Sequence, residues 1–258
     1  MRICNLGHAR SRSSLLIFHL QNYYNNLTNY NETYAQLKKK SYGKYSADQN
    51  LSLKDTQFAN YSEKIFDFTN QIFSNSNNFI IKLWPRYMNC TNFVQEFDCF
   101  ILNLNDCFKL NEYDKIYVTV REPVDTLCSY KLGQLYKFHY TDLQEFTYYN
   151  QKKKSNYENN IVLDNLENRS LITEIFLIDK ICEYMDKKNI KYKLINYNDA
   201  PQYLERNYPI IGNDYKHFMP MDNQLRYSEI IKNYAEVQDW VKNFRKDIMP
   251  KINNLRLV

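Results

Sequence analysis

Hydroxyl and guanidinium groups are concentrated in one short segment near the start of the chain. It follows an apolar run that ends at Leu6 and precedes a stretch of helical character at residues 15–18. A loop between a strand and a helix presents backbone N–H groups at the helix N-terminus, and added hydroxyls and cations suit it to phosphate or sulfate. The segment consists of Arg10, Ser11, Arg12, Ser13 and Ser14.

This segment is not a Walker A motif. The spacing GxxxxGK[ST] would require Gly at position 12 and Lys at position 13, where the chain has Arg12 and Ser13. No acidic strand end suited to Mg²⁺ is evident either, so the pattern disfavours ordinary ATP hydrolysis and predicts no metal.

Two further cations lie within or directly after apolar runs that resemble buried strands. Arg121 comes directly after Lys115–Val120, and Ser129 follows it by eight positions. An Arg at a strand end and a Ser on the second turn of the next helix can converge on one phosphate. Lys82 lies within the apolar run 79–84. If buried, it needs a partner, either an anionic ligand or an ion pair inside the protein.

Two of these segments resemble those of the sulfotransferases that use 3′-phosphoadenosine 5′-phosphosulfate (PAPS). Residues 7–16 (GHARSRSSLL) are similar to that family's 5′-phosphosulfate loop, P-[RK]-[ST]-G-[ST]-[ST]-x-L. Residues 118–130 (VTVREPVDTLCSY) resemble its 3′-phosphate segment, in which a Ser follows the Arg of V-R-[DN]-P by eight positions. Weaker similarities at residues 80–85, 193–199 and 215–218 extend the match over most of the chain.

The resemblance implies an enzyme that moves a sulfonate group from PAPS to a hydroxyl of an acceptor, either a glycan or a small metabolite. It places Arg10 near the bridging oxygen and implies that residues 215–218 belong to a basic loop that closes over the nucleotide. The donor-binding residues implied are Arg10, Ser11, Arg12, Ser13, Ser14, Arg121, Ser129 and Lys216.

The general base has to differ from that of the cytosolic members of the family. Trp84 stands two positions after Lys82, where those members have His. Other branches use a Glu some 21 positions after the loop Arg, and Glu32 lies 22 positions after Arg10. The resemblance therefore implies Glu32 as the base, with Arg10 and Lys82 completing the catalytic set.

Arg12 departs from the family pattern, which has Gly at this position. Glycine permits close backbone approach or a positive φ, which costs another residue about 1–2 kcal/mol. Either the loop keeps a negative φ at Arg12, or Arg12 adds a phosphate contact in exchange for strain.

Strands must bring these residues together at one edge of a sheet. Strand patterns occupy residues 2–6, 79–84, 115–120 and 192–197, with helical patterns at residues 15–18, 53–73, 171–185 and 227–248 and a helix start at Pro123. The order predicts a single α/β domain over residues 1–258, with a parallel sheet flanked by helices. The resemblance adds a P-loop-like fold. A polar excursion at residues 21–50 and a mobile loop at 150–162 are also expected.

Composition limits the function classes. The 258 residues carry a net charge of +5, enough to attract a polyanionic small molecule but modest for a nucleic-acid binder. The chain has no 18-residue apolar run, which predicts no membrane span, and its six cysteines form no CxxC pair, which favours reduced thiols in the cytoplasm. Two alternatives stay open: another nucleotide-dependent transferase, such as a kinase or glycosyltransferase, or a non-catalytic nucleotide-binding protein.

Overall fold

A computed structural model describes residues 1–8, 10–30, 55–85, 101–102, 107–135, 161–164, 166, 168–210 and 227–257. The strands of these residues are β1 (Arg2–Gly7), β2 (Thr28–Tyr30), β3 (Phe79–Leu83), β4 (Ile101–Leu102), β5 (Lys115–Val120), β6 (Lys193–Asn196) and β7 (Arg256–Leu257). The helices are α1 (Ser13–Tyr23), α2 (Asp55–Asn75), α3 (Pro123–Leu135), α4 (Arg169–Lys187), α5 (Ala200–Asn207), α6 (Tyr227–Ile230) and α7 (Tyr234–Asn253).

Five strands form one parallel sheet in the order β2-β3-β1-β5-β6. β1 is central, and its Asn5 pairs with Lys82 on one side and Tyr117 on the other. β4 and β7 form a separate parallel pair. The predicted α/β architecture, a parallel sheet flanked by helices, is therefore confirmed.

Helices cover both faces of the sheet. On one face, α1 and α5 pack on alternate strand residues that include Ile3, Ile80, Tyr117 and Ile195. On the other face, α2 and α4 pack on the intervening residues, and α3 and α7 pack against the outer side of α4. Since strand side chains alternate between faces, the polar residues Asn5, Lys82 and Thr119 share the α1 face.

The sheet order defines a crevice at its carboxyl edge. The chain leaves β1 toward β2 and β3 on one side, whereas it leaves β5 toward β6 on the other side. In an open α/β sheet, ligands bind beyond the strand ends at such a switch point. The residues that follow Gly7 and Val120 therefore flank the crevice.

Most predicted elements lie where the sequence indicated, with two differences. The expected polar excursion at 21–50 begins with the last turn of α1 and the edge strand β2, and its residues 31–50 lie outside the described ranges. The helix expected at 227–248 is divided into α6 and α7, and Ile231 between them forms a bridge with Ile161. The predicted mobile loop falls outside the described residues, except for its last two positions.

Cys4, Cys128 and Cys182 are free thiols that lie in or against the hydrophobic clusters of the core. Cys4 and Cys128 are buried, and burial raises the pKa of the Cys128 thiol to about 12. These thiols are therefore protonated at neutral pH. Within the described ranges, no helix combines the length and apolarity that a bilayer crossing requires.

Candidate functional site

The loop after β1 approaches β5 closely. A Cβ on Gly7 would lie 2.3 Å from Thr119 Oγ1 and 3.0 Å from Ser11 Oγ, so only glycine fits here without a shift. Arg10 and Arg12 both have positive φ angles, 66° and 65°. Of the two alternatives for Arg12, the structure therefore has the strained backbone. Arg12 occupies the N-cap position of α1, where its side chain makes no capping hydrogen bond.

A buried polar network holds this loop in place. The Ser11 hydroxyl donates to the His8 carbonyl at 2.7 Å and lies 2.9 Å from Thr119 Oγ1. Thr119 donates to Asn5 Oδ1 at 3.3 Å, and Asn5 Nδ2 donates to the Ser13 carbonyl at 2.9 Å. These contacts connect β1, β5 and the first residue of α1. The Ser11 hydroxyl thus supports the loop from inside, and its contact with a 5′-phosphate stays a prediction.

His8 connects the loop to the end of β5. It is fully buried, and its Nε2 accepts a hydrogen bond from the Arg121 backbone N–H at 3.1 Å. An accepting Nε2 requires the neutral imidazole with its proton on Nδ1. The two strand-end segments on which the anion hypothesis depends are therefore joined directly.

Arg12 and Arg121 meet at the side chain of Tyr197, which follows β6. The guanidinium carbon of each lies 3.8 Å from the centroid of the Tyr197 ring. Arg12 Nη1 also donates to the Tyr197 carbonyl at 2.7 Å. An aromatic face attracts cations, so the ring offsets part of the repulsion between the two arginines.

Several nitrogen atoms of these two guanidinium groups are buried and lack a hydrogen-bond partner in the described part of the chain. They are Nε and Nη2 of Arg12 and Nε of Arg121. Arg121 as a whole is only 8% exposed. Neither arginine forms an ion pair with a described carboxylate. Burial lowers the pKa of Arg12, and the neighbouring Arg121 cation lowers it further, while Tyr197 opposes both effects.

The two residues predicted to share a phosphate, Arg121 and Ser129, are joined by the hydroxyl of Tyr227 in α6. Arg121 Nη2 donates to this hydroxyl at 2.7 Å, and Ser129 also hydrogen-bonds to it. Burial raises the pKa of Tyr227, so the phenol is neutral. Arg121 Nη1 donates to the Arg10 carbonyl at 3.4 Å, which brings the loop to the same point.

Arg10 extends to helix α3. A Cβ on Gly133 would lie 2.1 Å from Arg10 Nη2, so the guanidinium occupies the space that glycine leaves open. Gly133 lies one turn beyond Ser129 on the same helix, and residues four apart share a face. Arg10, Ser129 and Arg121 therefore all gather beside the first three turns of α3.

Lys82 reaches the loop from the other side. It is 3% exposed, and its Nζ donates to the Ser14 hydroxyl at 3.5 Å and lies 4.5 Å from the Trp84 ring centroid. Ser14 is exposed, whereas Ser13 is buried. The strand lysine and an exposed loop hydroxyl thus meet at the start of α1.

Eight of the ten predicted site residues lie in the described part of the chain, where each contacts another of them or a residue next to them. The predicted base Glu32 and the predicted loop cation Lys216 lie outside the described residues. Site residues that were not among the predicted set include His8, Asn5, Thr119, Tyr227 and Gly133. Asn5 and Thr119 carried a readable signal, since each is a polar residue inside an apolar strand.

Comparisons with known proteins do not assign the chain to a family. No protein-family model, curated protein or solved structure matches the chain. Inferences about its function therefore depend on the residue patterns and on the geometry of the crevice between β1 and β5.

Proposed function

We propose that this chain is a sulfotransferase that takes its sulfonate group from PAPS and transfers it to a hydroxyl of a glycan or small metabolite. One observation supports this most directly. Arg12 and Arg121 converge at the β1–β5 switch point with buried nitrogens that have no described partner. Such a pair favours an anion, and PAPS carries a 5′-phosphosulfate and a 3′-phosphate on its ribose.

The positions of the donor-binding residues are consistent with this assignment. The loop at residues 8–12 precedes the N-terminus of α1, where backbone N–H groups favour the 5′-phosphosulfate. Arg121 and Ser129, joined through the Tyr227 hydroxyl, would hold the 3′-phosphate once that hydroxyl is displaced or shared. A P-loop-like fold is part of the proposal, supported by this loop between the central strand and its helix.

Bound PAPS would supply an activated sulfonate whose S–O bond to the bridging phosphate oxygen breaks while a bond to the acceptor oxygen forms. Negative charge then develops on the bridging oxygen. Lys82, held at Ser14, and Arg10 are the cations we assign to that charge. Glu32 is the group we assign to remove the acceptor proton, an effect on the order of 10²- to 10⁴-fold in rate.

Calorimetry with 3′-phosphoadenosine 5′-phosphate, the product nucleotide, tests the proposal. We expect wild-type protein to bind with a Kd on the order of 10 μM or below. Arg121→Ala should abolish binding, while Arg206→Ala, an exposed arginine in the last turn of α5, should leave it unchanged. No binding by wild type, or binding indifferent to Arg121→Ala, would overturn the proposal.

A second experiment separates the enzyme from its alternatives. Glu32→Gln should retain nucleotide binding and lose sulfonate transfer to a panel of hydroxyl acceptors. Tighter binding of ATP with Mg²⁺ than of the 3′-phosphorylated nucleotide would favour a kinase or glycosyltransferase instead. Nucleotide binding without transfer to any acceptor by wild type would favour a non-catalytic binding protein.

A further inference from the structure

We propose that Arg12 and Arg121 together bind one phosphate group beside the Tyr197 ring, and that Arg12 thereby makes the site selective for a nucleotide with a 3′-phosphate. The identity of the nucleotide rests on the proposed function. The phosphate subsite itself rests on the contacts of these two arginines.

The first step is the distance between the two cations. Both guanidinium carbons lie 3.8 Å from the same ring centroid, so they can be separated by no more than twice that distance. Charge-assisted hydrogen bonds of about 2.8 Å on either side of a phosphate span such a gap. This separation is within the span of one phosphate, which we therefore assign to both side chains.

The second step is the supply of donors. Nε and Nη2 of Arg12 are the two nitrogens of one guanidinium edge, and both are buried without a described partner. This edge presents two parallel N–H donors that match two oxygens of a phosphate. Arg121 Nε adds a donor from a residue that is more than nine-tenths buried. The phosphate's terminal oxygens and double negative charge suit these donors better than a carboxylate does.

The third step is the electrostatic state of the site before a ligand binds. Two partly desolvated cations lie against one ring, and no described carboxylate neutralises either of them. Their mutual repulsion is stronger here than in water, because the surroundings are less polar. Binding of a dianion removes that repulsion and satisfies the open donors together.

The fourth step is the backbone of Arg12. Its φ of 65° and ψ of 19° put it in the left-handed region, which is unfavourable by about 1–2 kcal/mol for a residue with a Cβ. Glycine would adopt the same conformation without strain. An arginine kept there despite the strain points to a role for the side chain, which this conformation directs across the crevice to Tyr197.

Nucleotide selectivity provides the main test. Affinities for 3′-phosphoadenosine 5′-phosphate and for adenosine 5′-phosphate are measured for wild type, Arg12→Gly, Arg12→Ala and Arg12→Lys. We expect the glycine and alanine variants to lose roughly 10- to 100-fold in affinity for the 3′-phosphorylated nucleotide, with little change for adenosine 5′-phosphate. Lysine, with charge but no planar edge, should recover part of the loss.

Arg12→Gly is the control for loss of binding through misfolding, because it removes the guanidinium while relieving the backbone strain. Equal losses for both nucleotides would place Arg12 at the 5′-phosphate and overturn the inference. Unchanged affinity for the 3′-phosphorylated nucleotide in Arg12→Gly would overturn it as well.

Inorganic phosphate separates this inference from the proposed function. The Tm of wild type should rise with phosphate at constant ionic strength, and Arg12→Gly and Arg121→Ala should each reduce the rise. That result without nucleotide binding by wild type would support the subsite and defeat the sulfotransferase proposal. Nucleotide binding together with a phosphate response indifferent to Arg12→Gly would defeat the subsite and leave the sulfotransferase proposal standing.

Discussion

At the scale of single residues, the site depends on particular side chains and on the absence of a side chain at Gly7. Gly7 lets the loop after β1 lie against Thr119, and the loop's hydrogen bonds then fix where Arg10 and Arg12 leave the backbone. Positive φ angles at two non-glycine residues only two positions apart are not favoured by local preference. The buried network of Asn5, Ser11 and Thr119 therefore stabilises a conformation that the isolated loop would rarely adopt.

Gly7→Ala should destabilise the protein, because the new Cβ would lie 2.3 Å from Thr119 Oγ1 and 3.4 Å from the Thr119 carbonyl. Overpacking of this kind costs about 1–3 kcal/mol in free energy of unfolding, measurable by urea titration. Thr119→Ala removes the nearer atom, so the double variant should be more stable than the sum of the single effects predicts. Strict additivity of the two substitutions would contradict this account of the glycine.

At the scale of elements, α3 positions Arg10 as well as carrying Ser129. Gly133→Ala should increase helix propensity by about 0.5–1 kcal/mol while displacing the Arg10 guanidinium, whose Nη2 lies 2.1 Å from the site of the new Cβ. Since the displaced atom is the end of a flexible side chain, the fold should tolerate the change. We expect unchanged or higher stability by urea titration, with a reduced kcat/KM for sulfonate transfer.

Gln134→Ala is the matched control, since Gln134 is the exposed neighbour of Gly133 on the same helix. It should leave transfer at the wild-type level. If Gly133→Ala also transferred sulfonate at that level, the placement of Arg10 against α3 would have no part in the reaction.

The packing of α1 against α5 should make stability depend on pH. His19 Nδ1 lies 2.9 Å from the Tyr208 carbonyl, to which it donates, and burial lowers the pKa of His19 although that hydrogen bond and the Glu205 charge oppose the shift. The unfolded chain therefore binds a proton more readily than the folded chain. The stability that the neutral imidazole contributes is present above the unfolded pKa of about 6.5 and is lost as pH falls below it.

His19→Asn tests this dependence, because the Asn amide can donate to the same carbonyl but does not titrate. Free energies of unfolding between pH 8 and pH 5 should fall less steeply for this variant than for wild type. Parallel pH profiles would show that His19 does not cause the dependence.

The sequence predicted these elements better than their contacts. Lys115–Val120 forms a strand and Pro123 begins a helix as predicted, because β-branched runs and a proline at the first helical turn are local signals. Arg12 meets Tyr197 across 185 positions of sequence, and Arg121 meets Tyr227 across 106. Such contacts arise from sheet order and helix packing, which no local pattern specifies, and the positive φ of Arg12 was only one of two open alternatives.

At the scale of the whole molecule, the candidate site lies where separate parts of the chain meet. Four parts of the chain meet at Arg121, which follows β5. The loop after β1, the residue after β6 and the start of α6 each contribute a group that contacts it. Helix α1, which follows the loop, packs on one face of the sheet, whereas Tyr227 packs against the helices of the other face. A ligand that contacts all of these groups would therefore stabilise the layers relative to one another.

This coupling predicts a large effect of the product nucleotide on thermal stability. At a concentration of 100 Kd, a ligand that binds only the folded state adds about 2.7 kcal/mol. For a protein of this size, each kcal/mol raises Tm by about 2–4 °C, so 3′-phosphoadenosine 5′-phosphate should raise the wild-type Tm by roughly 5–10 °C. Arg121→Ala should lose most of this rise at the same nucleotide concentration, whereas Arg206→Ala should retain it. A similar rise in both variants would mean that the nucleotide binds away from the β1–β5 crevice, and the four-part contact around Arg121 would then have only a structural role.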